Sequence, residues 1–366
     1  MSKKKISKEK SIRRTRNGVE LLICLSVIAG GVYYIKTVSD NSFLTPQMEH
    51  KSVAEEVEIL TEATEETTPP PEMPMYEIHP VDTHDAFSGD LILVNNDHQY
   101  YSSGKEDLVS IMEMNDETER SEFLAVDYSY SILREVYEPM AQMIDDFYDI
   151  YHNDTLIIYG SYRSHDFQQE LYENDLAQNG SDSSTLVAKP GYSEHETGYA
   201  FDFSETVNYE YDGTGDFAWF TENCYKYGFI LRYPEDKEDI TEIRYEPWHF
   251  RYVGVPHAYY MTKNGICLEE YIEQLRSYTY DGEHLAFTDH NGQAYEVYFV
   301  PADASADQTP IPVPPGAKYD VSGNNIDGFI VTITAGENAD PEPAAETSTE
   351  ASTDAADEET SETPAE

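Results

Sequence analysis

Residues 190–204 read PGYSEHETGYAFDFS. A histidine and an aspartate, His195 and Asp202, stand seven positions apart in this stretch. From Gly198 onward the residues alternate: Tyr199, Phe201 and Phe203 fall on one parity, and Gly198, Ala200, Asp202 and Ser204 on the other. Successive side chains of a β-strand point to opposite faces. The pattern therefore predicts a strand with one aromatic face turned to a core. Its other face is cleared of bulk around a single carboxylate. A cleared face beside a histidine suits a metal ion with room for a substrate.

An isolated His and Asp in a polar loop are ordinarily surface residues. A second cluster, residues 245–254 with the sequence YEPWHFRYVG, changes that reading by offering Glu246 and His249. Catalytic zinc commonly takes three protein ligands from histidine and carboxylate and keeps a position open for water. A further carboxylate then serves as general base. His195, Asp202 and His249 supply the ligands, and Glu246 is left for the base. The helical H-E-x-x-H pattern is absent, so the usual zincin arrangement is excluded.

The pattern S-x-H-x-x-G-x-A-x-D, followed by E-P-W-H and preceded by Y-R-S, resembles the VanY-type D-alanyl-D-alanine carboxypeptidases. Ser193, His195, Gly198, Ala200 and Asp202 fall on the first motif, and Glu246, Trp248 and His249 on the second. The resemblance covers roughly residues 90–271. It implies an α+β zinc-peptidase fold of the bacterial cell wall, related to the hedgehog signalling domain, with one zinc ion as cofactor. It also implies that Arg163 faces the substrate, that Gln168 helps hold it, and that Ser193 and Gln168 orient the peptide. Peptidoglycan stem peptides are the implied partner, and removal of their last D-alanine the implied activity. An L,D-carboxypeptidase acting on tetrapeptide stems shares the same motifs. A catalytically inactive peptidoglycan-binding module would have lost the base or a ligand, and all four positions are intact.

Composition frames this reading. The chain has 366 residues and a formal net charge of -48, which excludes a nucleic-acid binder, since that function needs a basic patch. The first 18 residues are nevertheless rich in Lys and Arg. Residues 19–35, VELLICLSVIAGGVYYI, form an apolar run close to the ~17 residues that just span a bilayer. Basic residues before an apolar run predict a cytoplasmic amino terminus and a single-pass anchor at the cell membrane, with the catalytic domain extracellular. A cleaved signal peptide is the competing reading; no small-x-small site follows Tyr34. Cys24 lies inside the run after Ile23, which does not make a lipoprotein site. Residues 36–75 are acidic and rich in Thr and Pro, a linker with little to bury.

The folded part is expected from residue 76, with a zinc carboxypeptidase domain over 76–280. Leu91, Leu93 and Val94 suggest a short strand. Leu133, Val136, Met140, Met143, Ile144 and Phe147 predict a helix over residues 128–151, with Pro139 as a kink or split. Leu156 to Tyr159 predict a strand that delivers Arg163 at its end, and Ser164 caps the next helix. Ser181 to Thr185 read as a polar loop. Residues 216–227 read as a helix stopped by Gly228, and 229–231 and 249–253 as strands. His249 and Arg251 share one parity. Helices follow from Pro256 to Gly265 and from Leu268 to Tyr278, with His257 expected at the surface. Strands and helices mix without a βαβ order, giving an α+β domain. Cys224 and Cys267, without a wider framework, do not define a disulfide. Residues 281–335 are expected to form a small β appendage that begins with a hairpin around His290, Asn291 and Gly292. Residues 336–366, acidic and without Lys or Arg, read as a disordered tail.

Overall fold

The computed structural model describes residues 76–338, apart from 181, 185, 186 and 208. The expected cytoplasmic segment, membrane anchor, linker and nearly all of the acidic tail lie outside the described residues, as do Ser181 and Thr185 of the polar loop. No helix among the described residues is long and apolar enough to cross a membrane.

The chain opens with β1 (Glu77–Asp82), then a 3-10 turn and a coil of which Leu91–Val94 are buried, β2 (Leu108–Ser110), α1 (Ile111–Thr118), β3 (Leu124–Ala125) and β4 (Ser131–Leu133). Next come α2 (Arg134–Tyr151), β5 (Leu156–Gly160), α3 (His165–Asn179) and β6 (Ala200–Glu205). They are followed by α4 (Ala218–Asn223), β7 (Phe229–Leu231), α5 (Glu238–Thr241), β8 (His249–Tyr252), α6 (Val255–Asn264) and α7 (Leu268–Leu275). The last five strands are β9 (Leu285–Thr288), β10 (Ala294–Pro301), β11 (Gln308–Val313), β12 (Ala317–Gly323) and β13 (Gly328–Asn338).

A five-stranded sheet in the order β3-β5-β6-β8-β7 forms the centre of the peptidase part. The predicted alternation holds on β6. Phe201 and Phe203 are buried among Phe147, Phe220 and Phe250, with the Phe203 and Phe220 rings 4.6 Å apart. On the opposite face Asp202 stands in register with Gly160 of β5 on one side and His249 of β8 on the other. A methyl group built at Gly160 would lie 2.0 Å from Asp202 Oδ2, so only glycine leaves space for the carboxylate. Gly198, which turns the chain into β6, has φ +78°, and a side chain there would also press on Leu133.

Helix α2 backs the aromatic face with Val136, Met140, Met143, Ile144 and Phe147, all buried. It begins at Arg134, later than expected, because Ser131–Leu133 pair with Leu108–Ser110 as a strand. Pro139 lies inside α2 without dividing it. Ser164 caps α3 by accepting from the Phe167 N–H; the helix expected over 216–227 is α-helical only as α4 and ends in a 3-10 turn, Cys224–Tyr227, after which Gly228 takes the left-handed position, as Gly265 does after α6.

The C-terminal β unit is a sheet in the order β12-β13-β10-β9 with the β1–β11 pair beside it. The expected hairpin is β9–β10, with Ala294 opposite Thr288. The expected boundaries shift at both ends. Residues 77–87 belong to this unit rather than to the peptidase domain, because Glu77 pairs with Val313 and Ala86 enters a core with Tyr298, Ile311 and Phe329. Strand β13 also runs past the expected start of the tail to Asn338.

The unit packs on the peptidase part. Ile330, Val297 and Phe299 share a core with Met261 of α6 and with Tyr271 and Leu275 of α7. Leu91 and Leu93 join that core as coil, which corrects the expected strand. They form no ladder with the end of β12 beside them; side chains and the turn after β12 take their backbone instead. Leu91 N–H donates to Ser322 Oγ (2.9 Å), Leu93 C=O accepts from Asn325 Nδ2 (2.8 Å), and Ile92 C=O accepts from Arg251 Nη2 (3.0 Å). His257 is likewise corrected from surface to core. It is 4% exposed and lies between Tyr271 Oη (2.8 Å) and Thr332 Oγ1 (3.1 Å), with burial pushing its pKa down to about 3. Cys224 and Cys267 are free, buried thiols.

Candidate metal centre

His195 sits on a single 3-10 turn, Glu194–Glu196, Asp202 in the middle of β6, and His249 at the first position of β8. All three are buried, and one donor atom from each lies within 4.8 Å of the others. His195 Nδ1 is 2.9 Å from the Ser161 carbonyl, leaving Nε2 3.2 Å from Asp202 Oδ2. His249 is held the other way round: Nε2 is 3.2 Å from Glu194 Oε2, and Nδ1 is 2.9 Å from Asp202 Oδ1. The two imidazoles stand nearly perpendicular, at 88°.

Protonation follows from these partners. Burial, reinforced by the Arg163 charge, lowers His195 to about 4 despite Asp202, so the ring is neutral near pH 7. A carbonyl only accepts, so Nδ1 carries the proton and Nε2 presents a lone pair to a carboxylate. Two electron-rich atoms 3.2 Å apart in a buried site make a place for a cation. Burial opposes charge on His249, but hydrogen bonds to Asp202 and Glu194 outweigh it and raise the group to about 9. A metal ion must displace that proton, which makes binding pH-dependent. Two imidazole nitrogens and a carboxylate are a zinc-type donor set, and the bonds from each ring's far nitrogen are the outer contacts that orient metal-binding histidines.

The other expected site residues gather around this centre. Glu246 is partly buried on the turn before β8; its N–H donates to the Tyr233 carbonyl, and its own carbonyl accepts from His249 N–H. Burial raises its carboxyl to about 7, against the pull of His249, Arg244 and Arg163. Arg163 N–H donates to the His195 carbonyl, and its guanidinium comes within 3.5 Å of both Asp202 Oδ2 and Gln168 Oε1. Ser193 is buried where the turn that carries His195 begins. Gln168 is fully buried, with Nε2 given to the Ala188 carbonyl (2.8 Å). It therefore links Arg163 to the 188 loop beside the centre.

Sequence reasoning missed Glu194. Its Oε1 accepts from Arg232 Nε (2.7 Å) and Arg251 Nη1 (2.8 Å), and Arg232 also donates to both oxygens of Glu269. Arg232 and Arg251 are fully buried and neutralised in this cluster. One signal was present: Arg251 shares the parity of His249, and an arginine on a buried face requires a carboxylate. Tyr233 was also missed; its ring lies 5.0 Å from that of His249.

Three inward residues that could hold a metal ion, a carboxyl of raised pKa and a neighbouring guanidinium make a site suited to metal-assisted hydrolysis. Residues 130–255 match the family model VanY, D-alanyl-D-alanine carboxypeptidase. The chain is 35% identical over 253 residues to a D-alanyl-D-alanine carboxypeptidase of Enterococcus faecium, covering 68% of this chain and 77% of that one. It is 45% identical over 121 residues to the putative carboxypeptidase YodJ of Bacillus subtilis (strain 168), covering 31% of this chain and 44% of that one. Among solved structures it resembles the vancomycin resistance D,D-dipeptidase VanXYg, in complex with a D-Ala-D-Ala phosphinate analog. The TM-score is 0.62 at 31% identity, covering 71% of this chain and 99% of that chain. The chain belongs to the VanY-type D-alanyl-D-alanine carboxypeptidase family.

Proposed function

We propose that the protein is a zinc-dependent carboxypeptidase that removes the C-terminal D-alanine from peptidoglycan stem peptides. The observation that carries this reading is the convergence of His195 Nε2, Asp202 and His249 Nδ1, with Glu246 and Arg163 beside them. His195, Asp202 and His249 would hold the ion. A bound zinc ion supplies the positive charge that polarises a peptide carbonyl and makes water more acidic.

The chain's own residues supply the rest. Glu246 accepts a proton from the attacking water and returns it to the amine as the C–N bond breaks. A carboxyl poised near 7 suits both transfers. Arg163 donates to the carbonyl oxygen as negative charge develops there. Gln168 keeps the guanidinium in place, and Ser193 offers its hydroxyl to the peptide. The basic first 18 residues and the apolar run after them support placing this chemistry on the outer side of the cell membrane, on a single-pass anchor.

Incubation of the zinc-loaded protein with synthetic tripeptide, tetrapeptide and pentapeptide stems, with the products separated by mass, tests the assignment. Release of one D-alanine from the pentapeptide is expected. Cleavage of the tetrapeptide alone would replace the D,D assignment with L,D specificity, and an unchanged set of stems would reject the enzyme reading.

A further inference from the structure

The carboxylate of Glu194 is divided between two tasks. One oxygen, Oε1, receives both arginine donors, Arg232 Nε at 2.7 Å and Arg251 Nη1 at 2.8 Å. The other, Oε2, is left to His249 Nε2 at 3.2 Å. A simple structural ion pair has no need to leave an oxygen directed at a histidine. The arginines are themselves fixed. Arg232 is clamped by Glu269 at 2.9 and 2.6 Å. Arg251 Nη2 donates to the carbonyls of Asp90 (2.9 Å) and Ile92 (3.0 Å). Glu194 is thus anchored from the end of β7, from β8, from α7 and from the coil before β2. At 2% exposure it has no solvent into which to swing.

His249 needs this hold because either nitrogen of an imidazole can carry the proton. A carboxylate on Nε2 keeps the proton there and leaves the Nδ1 lone pair turned toward Asp202 and His195. The Tyr233 ring, 5.0 Å away and inclined at 39°, limits rotation of His249 about its own axis. We propose that Glu194 is a positioning residue that fixes the tautomer and orientation of His249, and that Arg232 and Arg251 exist in the fold to hold Glu194 in that role. The inference rests on the reading of His195, Asp202 and His249 as zinc ligands.

The test is zinc affinity of the full chain, measured by competition with a chromophoric chelator for wild type, Glu194→Gln and Glu269→Gln. Glu269→Gln serves as the control, because it removes a carboxylate from the same arginine cluster without touching His249. Glu194→Gln is expected to weaken zinc binding by about 10–100-fold, the scale on which outer contacts tune metal sites. Glu269→Gln is expected to lower thermal stability while zinc affinity stays within about threefold of wild type. Wild-type affinity in Glu194→Gln would overturn the proposal, and so would an equal loss in both variants. A wild-type chain that binds no zinc would sink the metal reading itself, which is a separate outcome. Should Glu194→Gln not fold, nitrogen-15 NMR of histidine-labelled, zinc-loaded wild type still decides. The proposal requires His249 to ligate through Nδ1 and to show a slowly exchanging Nε2 proton; ligation through Nε2 would refute it.

Discussion

On the five-stranded sheet, Asp202 and His249 stand opposite each other on neighbouring strands, with Arg251, Arg232 and Glu194 buried alongside. On the four-stranded sheet, the inward positions hold Tyr298, Val300, Phe329, Val331 and Ile333. Apolar side chains there need only fit and fill. Each buried charge on the first sheet must find a partner, since an unpaired one costs several kcal/mol. Residues from Asp90, Glu194, Arg232 and Glu269 accordingly converge on one face of β6 and β8. The contrast separates a sheet organised around a reaction from one organised around its own stability.

Substitutions on the first sheet should change chemistry, and the largest effect is expected at His249. His249→Ala leaves two of three ligands, so zinc should be lost on purification and kcat/KM should fall by more than about 10³-fold, beyond the loss of a single oxyanion donor. Metal analysis alongside kinetics checks this; stoichiometric zinc with normal turnover would remove His249 from the set. Glu246→Gln should keep its zinc and lose about 10²-fold or more in kcat, the range of general acid–base catalysis. Near-normal turnover would exclude Glu246 as the base.

Arg163→Ala should lower kcat by about 10²-fold with KM little changed, the signature of a group that acts on transition-state charge. Lysine at this position should rescue only in part, because a point charge lacks the guanidinium fork. A rise in KM alone would make Arg163 a substrate anchor instead.

A gentler probe is pH. Burial raises Glu246 to about 7, so the carboxylate that accepts the proton is present above that pH and is lost below it. kcat/KM should therefore fall about tenfold per unit as pH drops beneath the neutral range, and Glu246→Gln should flatten that limb. An unaltered limb in the variant would assign the titration to another group. The smallest effect is expected on the second sheet. Ile333→Val should cost about 0.5–1.5 kcal/mol of stability and leave zinc content and kcat unchanged. A change in either would mean that the two sheets are not separate in function.

The parts of this contrast that were legible in the sequence are those written in local pattern. The alternation from Gly198 placed Asp202 on the cleared face, and Ser164, Gly228 and Gly265 marked helix ends where the structure has them. His195, Asp202 and His249, read as a ligand set from residue type and spacing with a family resemblance beside it, are brought together in the fold. What stayed hidden depends on partners distant in the chain. Glu194 looks like any surface glutamate until Arg232 and Arg251 are folded against it. His257 looked solvated because Thr332, which receives it, lies in another unit. Leu91 and Leu93 carry the composition of a strand, but pairing needs a neighbour, and Ser322, Asn324 and Asn325 occupy that place.

The pairing of β1 with β11 has a consequence for how the chain acquires its form. Glu77 finds Val313 only across the whole length of the peptidase part, so this ladder closes a very large loop. Closing it costs more chain entropy than any contact inside the peptidase sheet, and contacts of such separation slow folding. A chain emerging amino terminus first must carry β1 unpaired until nearly all that follows has been made. Every strand of the five-stranded sheet lies between β1 and β11 in the chain, so that sheet can pair before the two flanking strands meet.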